Sequence, residues 1–447
     1  MNLKILSILM VIGRTSASFG EQLSFPDIWN QINADSSAQQ ASHLQAQAIS
    51  ESKERASRHW LPRLYLDARS YQSNDPGDNF IGLLEQRSLQ TTDFNPSSVN
   101  NPGINTFSRG AIGLDLPLYE GGTKATLVEV LKHSEAAQKI STSQIQLEQY
   151  SQVGFSYGAL AIIERQKNKL QVLSLEIQHL LKSYKIGNKS NPVGYSGLLG
   201  IQSLSNRLAG LIKQVDAQIH SHQASLHELG VKQKDWSPSI KNIESFIAEY
   251  FSTKDRVAEQ EKSFQLQALD ESVKAKQESA NMEKAKFLPR VGAFAETYSF
   301  NGARETATGY NAGVYLKWNL YDPMDYGSLN EAKIKVEAAQ KSLENSAQQE
   351  RTERATLEET LIALKQNVEL LNDSDKILLE QTQMTETLFK NGSLNALQMV
   401  EVFNRRTDLI VALADAELNL IKTATQIVAK ENFLIPISMA SGEKNER

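Results

Sequence analysis

The sequence predicts a mainly α-helical protein with two pairs of membrane-length β-strands, built as duplicated halves of order helix-strand-strand-long helix-helix. Three observations carry that expectation: landmarks that recur in the same order, strand segments that alternate apolar and polar residues, and proline-free helical runs of about 60 residues.

The landmarks define the halves. Trp60-Leu61-Pro62-Arg63 recurs as Phe287-Leu288-Pro289-Arg290, 227 residues on. Leu114-Asp115-Leu116-Pro117-Leu118-Tyr119 recurs as Leu316-Lys317-Trp318-Asn319-Leu320-Tyr321 at an offset of 202, and Tyr184-Lys185-Ile186-Gly187 as Phe389-Lys390-Asn391-Gly392 at 205. The larger first offset puts a longer loop in the first half, and residues 73–106 have the Asn, Pro, Gly and Ser content of a surface loop.

Taken in chain order, the first element is a targeting segment. Lys4 precedes the apolar run 5–13, and Ser16-Ala17-Ser18 supplies small residues for cleavage, so residues 1–18 read as a signal peptide. The first repeat follows at 19–230, with strands at about 63–72 and 107–119 and a hairpin at about 123–230. Residues 231–254 form a linker or equatorial region. The second repeat takes 255–432, with strands at about 290–300 and 309–321 and a hairpin at about 325–432, and 433–447 is a tail.

The strands suit the ~9–11 tilted residues that cross a bilayer as β-structure. Ile112, Leu114, Leu116 and Leu118 fall on one face, with Gly113, Asp115 and Tyr119 on the other. In the last strand Tyr310, Ala312, Val314, Leu316, Trp318 and Leu320 share a face opposite Asn311, Lys317 and Asn319. The third strand sets Val291, Ala293 and Ala295 against Arg290, Glu296 and Tyr298, with Phe294 on the polar side. A half-buried sheet in a soluble protein would show the same alternation, so the helices decide.

Leu170, Leu173, Ile177, Leu180 and Tyr184 follow 3-4-3-4 spacing, as do Leu357, Leu361, Leu364, Val368 and Leu371: coiled-coil seams. Sixty residues of helix span about 90 Å, more than a globular domain needs. Antiparallel partners follow at 198–229 and 397–432. Away from the N-terminal segment no apolar run approaches the ~18–20 residues of a spanning helix, so entry into a membrane falls to the strands. Four strands cannot close a barrel, and lipid does not tolerate an open edge, so several subunits must pool theirs.

Composition removes other classes. There is no cysteine among the 447 residues, which excludes disulfides, thiolate metal sites, a cysteine nucleophile and a lipid-modified cysteine. Forty-seven basic against 52 acidic residues give a net charge of −5, and the cations are spread along the helices among Glu and Gln, which argues against nucleic acid. His220, His222 and His227 do not share one helix face, so no metal site is read there. No catalytic constellation and no cofactor motif is expected.

The pattern resembles the TolC-like outer-membrane efflux family over nearly the whole mature chain. Leu-Pro precedes the first strand of each half. Leu118-Tyr119-Glu120-Gly121-Gly122 after the second strand is similar to the family's Pro-Leu-Phe-x-Gly-Gly signature, with Pro117 in place and Tyr119 for Phe. The second half departs there, carrying Tyr321-Asp322-Pro323. The resemblance implies a homotrimer sharing a 12-strand β-barrel in outer-membrane lipid, with long periplasmic coiled-coil hairpins forming a tunnel. Such a duct passively exports drugs, metals or proteins with a periplasmic adaptor and an inner-membrane pump, in tripartite efflux or type I secretion.

The resemblance also implies the tip residues. Counting from Gly392 places Phe389, Leu394, Gln398 and Glu401 where the family's founding member has an aromatic, an arginine and two aspartates. Glu401, Gln398 and Phe389 are thus the expected periplasmic gate, with Glu401 its remaining charge, and Gly187, Gly392 and Leu394 mark the tips for adaptor docking. Counting seam positions puts Asp375 in the coiled-coil stripe. The rival reading is a periplasmic coiled-coil adaptor or spacer without a pore. Such a chain needs one hairpin flanked by small β-domains, whereas this sequence shows two hairpins.

Overall fold

The computed structural model describes residues 21–183, 192–234, 236–252, 262–433 and 435. The signal segment 1–18, the first tip with Gly187 and nearly all of 433–447 lie outside the described residues. In chain order the elements are β1 (Glu21–Leu23), α1 (Phe25–Asp35), α2 (Ser37–Ser57), β2 (Arg63–Ser73), α3 (Pro76–Glu85), α4 (Pro96–Asn100), β3 (Asn105–Glu120), α5 (Thr123–Ser183), α6 (Pro192–Glu228), β4 (Trp236–Pro238), α7 (Ile243–Tyr250), α8 (Phe264–Ala285), β5 (Arg290–Asn301), β6 (Thr306–Lys317), α9 (Ser328–Lys390) and α10 (Ala396–Ala429). The long helices α5 and α9 run 61 and 63 residues. No described helix is long and apolar enough to cross a membrane.

The chain divides into two compact units. One, Ala41–Thr142 with Gln265–Gln348, holds a four-stranded antiparallel sheet of order β2-β3-β5-β6, so strands of both halves join at β3–β5. Its register aligns apolar rows on one face, such as Leu64–Leu114–Ala295–Ala312 and Leu66–Ile112–Thr297–Tyr310. Leu66, Tyr310 and Val314 are 75%, 82% and 76% exposed, an apolar face with nothing of its own chain over it. A bulge between Pro117 and Tyr119 interrupts the β3–β5 ladder, where Pro117 has no N–H to donate. Lys53 and Lys139 both bind Glu135, tying α2 to α5, and His133 Nδ1 lies 2.7 Å from Glu271 of α8.

The fourth strand differs from its expected span of about 309–321. It begins at Thr306 and stops at Lys317, because its partner β5 starts at Arg290, directly opposite Lys317. Beyond that point the alternation through Trp318 and Leu320 continues without a ladder, and the Trp318 indole N–H donates to the Phe287 carbonyl at 3.0 Å.

The other unit comprises the described parts of Met1–Gln40, Ser143–Phe264 and Gln349–Arg447. Its core is an aromatic cluster. Phe25 packs edge-on or tilted against Tyr150, Tyr157, Phe246, Tyr250 and Phe251, with centroids 5.2–5.7 Å apart. Residues read as a linker supply much of this core, since Trp236, Ile243, Phe246, Ile247 and Phe251 are buried. The Tyr157 hydroxyl donates to the Leu23 carbonyl at 2.6 Å and accepts from the Ser239 N–H at 2.8 Å, and burial pushes its pKa up to about 12. The seam residues Leu170, Leu173 and Ile177 are fully buried, as the heptad spacing requires.

Ion pairs fix how the helices of this unit align. Arg165–Glu417 and Glu176–Arg406 join α5 to α10 at 2.7 and 2.8 Å, three turns on along one helix and three turns back along the other, an antiparallel match. Lys169 meets Asp375 of α9 at 2.6 Å, so the seam carboxylate is paired.

Two helical glycines separate packing from propensity. A Cβ on Gly154 would sit 2.0 Å from the ring of buried Phe251, whereas one on Gly210 meets nothing within 4 Å. Gly154→Ala should destabilise the unit by about 1–3 kcal/mol through overpacking. Gly210→Ala should stabilise it by about 0.5–1 kcal/mol through the restricted unfolded chain. Thermal melts followed by the helical circular-dichroism signal check both; equal shifts would refute the proposed packing.

Candidate functional site

The sheet's polar face is built by tyrosines lying over glycines. The Tyr65 ring covers Gly113 on the neighbouring strand, where a Cβ would come within 2.2 Å of it, and its hydroxyl reaches Glu296 on the strand beyond at 3.0 Å. Tyr315 repeats the arrangement in the opposite direction, crossing Gly292 to donate to Asp115 at 3.0 Å. Phe294, an apolar residue on this face, lies against Gly313, and Tyr298 covers Gly309. Glycine is required beneath the three tyrosine rings, where a Cβ would come within 2.2–2.6 Å. Arg109 binds Glu296, approaches Asp67 at 3.8 Å and stacks over Tyr298 with its guanidinium 4.9 Å from the centroid. The sequence analysis singled out Glu296, Tyr298 and Asp115; Tyr65, Asp67 and Arg109 went unread, although their two-residue spacing was visible.

The loop 74–104 folds onto the same polar face. Phe107, Tyr71 and Phe300 form an aromatic platform at the end of the strands, and α3 sits so close that a Cβ on Gly82 would be 2.5 Å from the Phe107 ring. Arg304, in the β5–β6 turn, pins this cap with a two-pronged contact to Asp93 at 2.5 and 2.7 Å and a third bond to the Ser88 carbonyl at 2.9 Å. Buried Gln86 accepts from the Arg304 and Glu305 N–H groups at 2.9 and 3.1 Å. The Arg304 guanidinium, with the Gln90 N–H, holds Asp93 down to about 2 from an ordinary 3.8.

At the second hairpin tip, α9 ends in a Schellman turn: Gly392 adopts φ +74, its N–H donates to the Phe389 carbonyl at 3.0 Å, and the Ser393 N–H donates to that of Leu388 at 2.9 Å. Asn395 then caps α10. Its side chain accepts from the Gln398 N–H at 2.9 Å and its own N–H donates to the Gln398 side chain at 3.1 Å, a capping box. Gln398 is therefore engaged in the helix start. Phe389 is half-buried against the helical core and Leu394 is half-buried. Glu401 is exposed and meets Arg405 one turn on, at 3.0 Å. This corrects the expectation that its charge stands alone, since a cation on the same helix face offsets it.

Among the described residues no group of three or more His, Asp or Glu side chains is placed to hold a metal ion. Residues 257–434 match the family model described as outer membrane efflux protein. A search of curated proteins finds no match. Among solved structures the chain is similar to the CmeC outer membrane channel of Campylobacter jejuni, at 12% identity and TM-score 0.75 over 97% of this chain and 94% of that one. It is similar to CusC at 11% identity and TM-score 0.75, covering 92% and 93%. It is also similar to the open-state MtrE outer membrane channel of Neisseria gonorrhoeae, at 10% identity and TM-score 0.71, covering 91% and 89%. The family match thus lies in the second half, while the fold over nearly the whole chain is that of solved outer-membrane channels.

The Asp93–Arg304 pin has a calculable pH window. A carboxylate depressed from 3.8 to about 2 contributes stability that is whole above the ordinary value and is lost as pH falls through about 2. Spin labels at Ser98 and Ala303 should keep one narrow distance from pH 8 to 5 and broaden only in strong acid. In Arg304→Gln the distribution should be broad at pH 7; an unchanged narrow distance would refute the pin.

Proposed function

We propose that three copies of this chain pool their strands into one 12-strand barrel and their hairpins into a periplasmic tunnel, forming the exit duct of a tripartite efflux or type I secretion assembly. The observation that carries this reading is the sheet itself. Strands of 11–16 residues present an exposed apolar face and a hydrogen-bonded polar face, while β2 and β6 remain open edges. In hydrocarbon each unmade backbone bond costs several kcal/mol, so β6 of one copy must meet β2 of the next. The apolar rows then face lipid, and the Tyr65–Glu296 and Tyr315–Asp115 ties line the bore. The cap, lying on the polar face, hangs over the outer mouth.

The hairpin tips dock the adaptor, which couples the duct to an inner-membrane pump. Gly392 and Leu394 shape one tip and the segment with Gly187 the other, with Phe389, Gln398 and Glu401 set around the aperture. The alternative, a spacer without a pore, has no use for a sheet with one apolar face.

Two measurements separate these readings. A barrel stays in outer-membrane fractions through high-salt washing, whereas a spacer is released. Leu116→Arg, on the lipid face, should cost about 2–4 kcal/mol and reduce the heat-labile trimer on gels. Asp115→Asn, facing the bore, should assemble as wild type; equal loss in both variants would overturn the face assignment.

The tip pair makes a second prediction. Arg405→Gln leaves Glu401 without its partner in each copy and should shift the reversal potential in a salt gradient toward cation selectivity. Glu401→Gln should shift it toward anions. Identical reversal potentials for wild type and both variants would remove the pair from the aperture.

A further inference from the structure

At the end of the polar face away from the cap, the sheet meets the C-terminal turn of α2 and the first turn of α5 around a cavity of about 710 Å³. Its charge is one-sided. Arg55, Arg63, Lys124, Arg290 and Lys317 line it, and none of the five makes an ion pair among the described residues. Arg58 also lines it and is bound by Glu54. Two carboxylates share the cavity, and Asp115 is already engaged by the Tyr315 hydroxyl at 3.0 Å. Many other cations of the same unit are matched: Lys53 and Lys139 on Glu135, Lys274 on Glu271, Lys286 on Glu283, Lys335 on Glu331.

The ladder register sharpens the contrast. Arg290 lies directly opposite Lys317 on the β5–β6 pair, and like charges facing each other across a ladder are destabilising. A concave wall focuses their field into the cavity, and an entering anion would relieve the repulsion while gaining charge-assisted bonds. Guanidinium groups from two strands and one helix suit the paired oxygens of phosphate or carboxylate.

We propose that this basic collar binds multiply charged anionic groups, phosphate or carboxylate, borne by exported cargo. The collar lies on the polar face, so its place in the bore rests on the duct reading above. The ligand is taken from the aqueous phase and not from a lipid headgroup, because the polar face is turned away from the Leu66 and Val314 side of the sheet.

Inorganic tripolyphosphate is the probe. Titration calorimetry on the full chain in neutral detergent should show saturable binding that weakens with salt. The double variant Arg63→Gln/Lys317→Gln should bind at least 10-fold more weakly, while Arg63→Lys/Lys317→Arg should retain wild-type affinity, which excludes simple misfolding. Lys335→Gln, from a matched surface pair, should bind as wild type. Absence of binding to wild type, or equal binding by the Gln variant, overturns the collar whether or not the protein conducts. Binding without conductance in planar bilayers upholds the collar and overturns the duct reading. Reconstitution into vesicles containing phosphatidylglycerol should leave the tripolyphosphate affinity as in pure phosphatidylcholine. Competition by the anionic lipid would overturn the assignment to cargo.

Discussion

The sheet depends on one unmet demand: the outward-facing backbone groups along the free edges of β2 and β6 pair with no strand among the described residues. Four strands of twisted sheet cannot curl far enough to satisfy their own edges, and a hydrocarbon environment offers no water to do so. The sequence is arranged around that demand. Apolar residues occupy one register row after another on the exposed side, and polar groups on the other side bind each other across three strands. An edge left open in water would invite pairing with another chain, a demand that the proposed trimer would meet.

How much of this could be read from the residues follows from the range over which each feature is encoded. Strand faces and coiled-coil seams are local periodicities, so Leu114/Leu116 and Leu170/Leu173/Ile177 were legible. The end of the last strand was not, because it is set by Arg290 on a different strand and not by the alternation that runs on through Leu320. The cap was legible only as a loop. Its order comes from Gln86 and Asp93 meeting Arg304, more than 200 residues away, through polar contacts that leave no periodic trace. At the tip the information was local: Asn395-x-x-Gln398 spells a capping box and Glu401-x-x-x-Arg405 an ion pair. Family correspondence directed attention to the equivalents of a charged ring, and the nearest-neighbour chemistry on the same helix modifies that picture.

The helical unit shows a different economy. Its seams are apolar and shared with many coiled coils, so they specify helix pairing without fixing which turn meets which. The ion pairs Arg165–Glu417, Glu176–Arg406 and Lys169–Asp375 supply that information. Partly enclosed pairs of this kind contribute little net stability, yet a one-turn slip would strand every charge at once. The aromatic cluster around Phe25 does the complementary work, holding the short elements α1 and α7 against the long helices through area and not through charge.

The tyrosine-over-glycine arrangement carries a mechanical consequence. The Tyr65 and Tyr315 rings each lie over a neighbouring strand and are tethered at the far end to a third, so sliding one of these strands by one residue would break a hydroxyl–carboxylate bond and drive a ring into a backbone that has no room for it. A wall of this kind resists shear while offering few side chains that swing inward. In the proposed barrel its width would be set by the number of strands and would stay nearly constant as individual rotamers fluctuate. In the proposed duct, variable resistance to flow would fall to parts outside the wall, among them the pinned cap. In the proposed duct, such a wall would pass cargo of many shapes, with recognition confined to the basic collar.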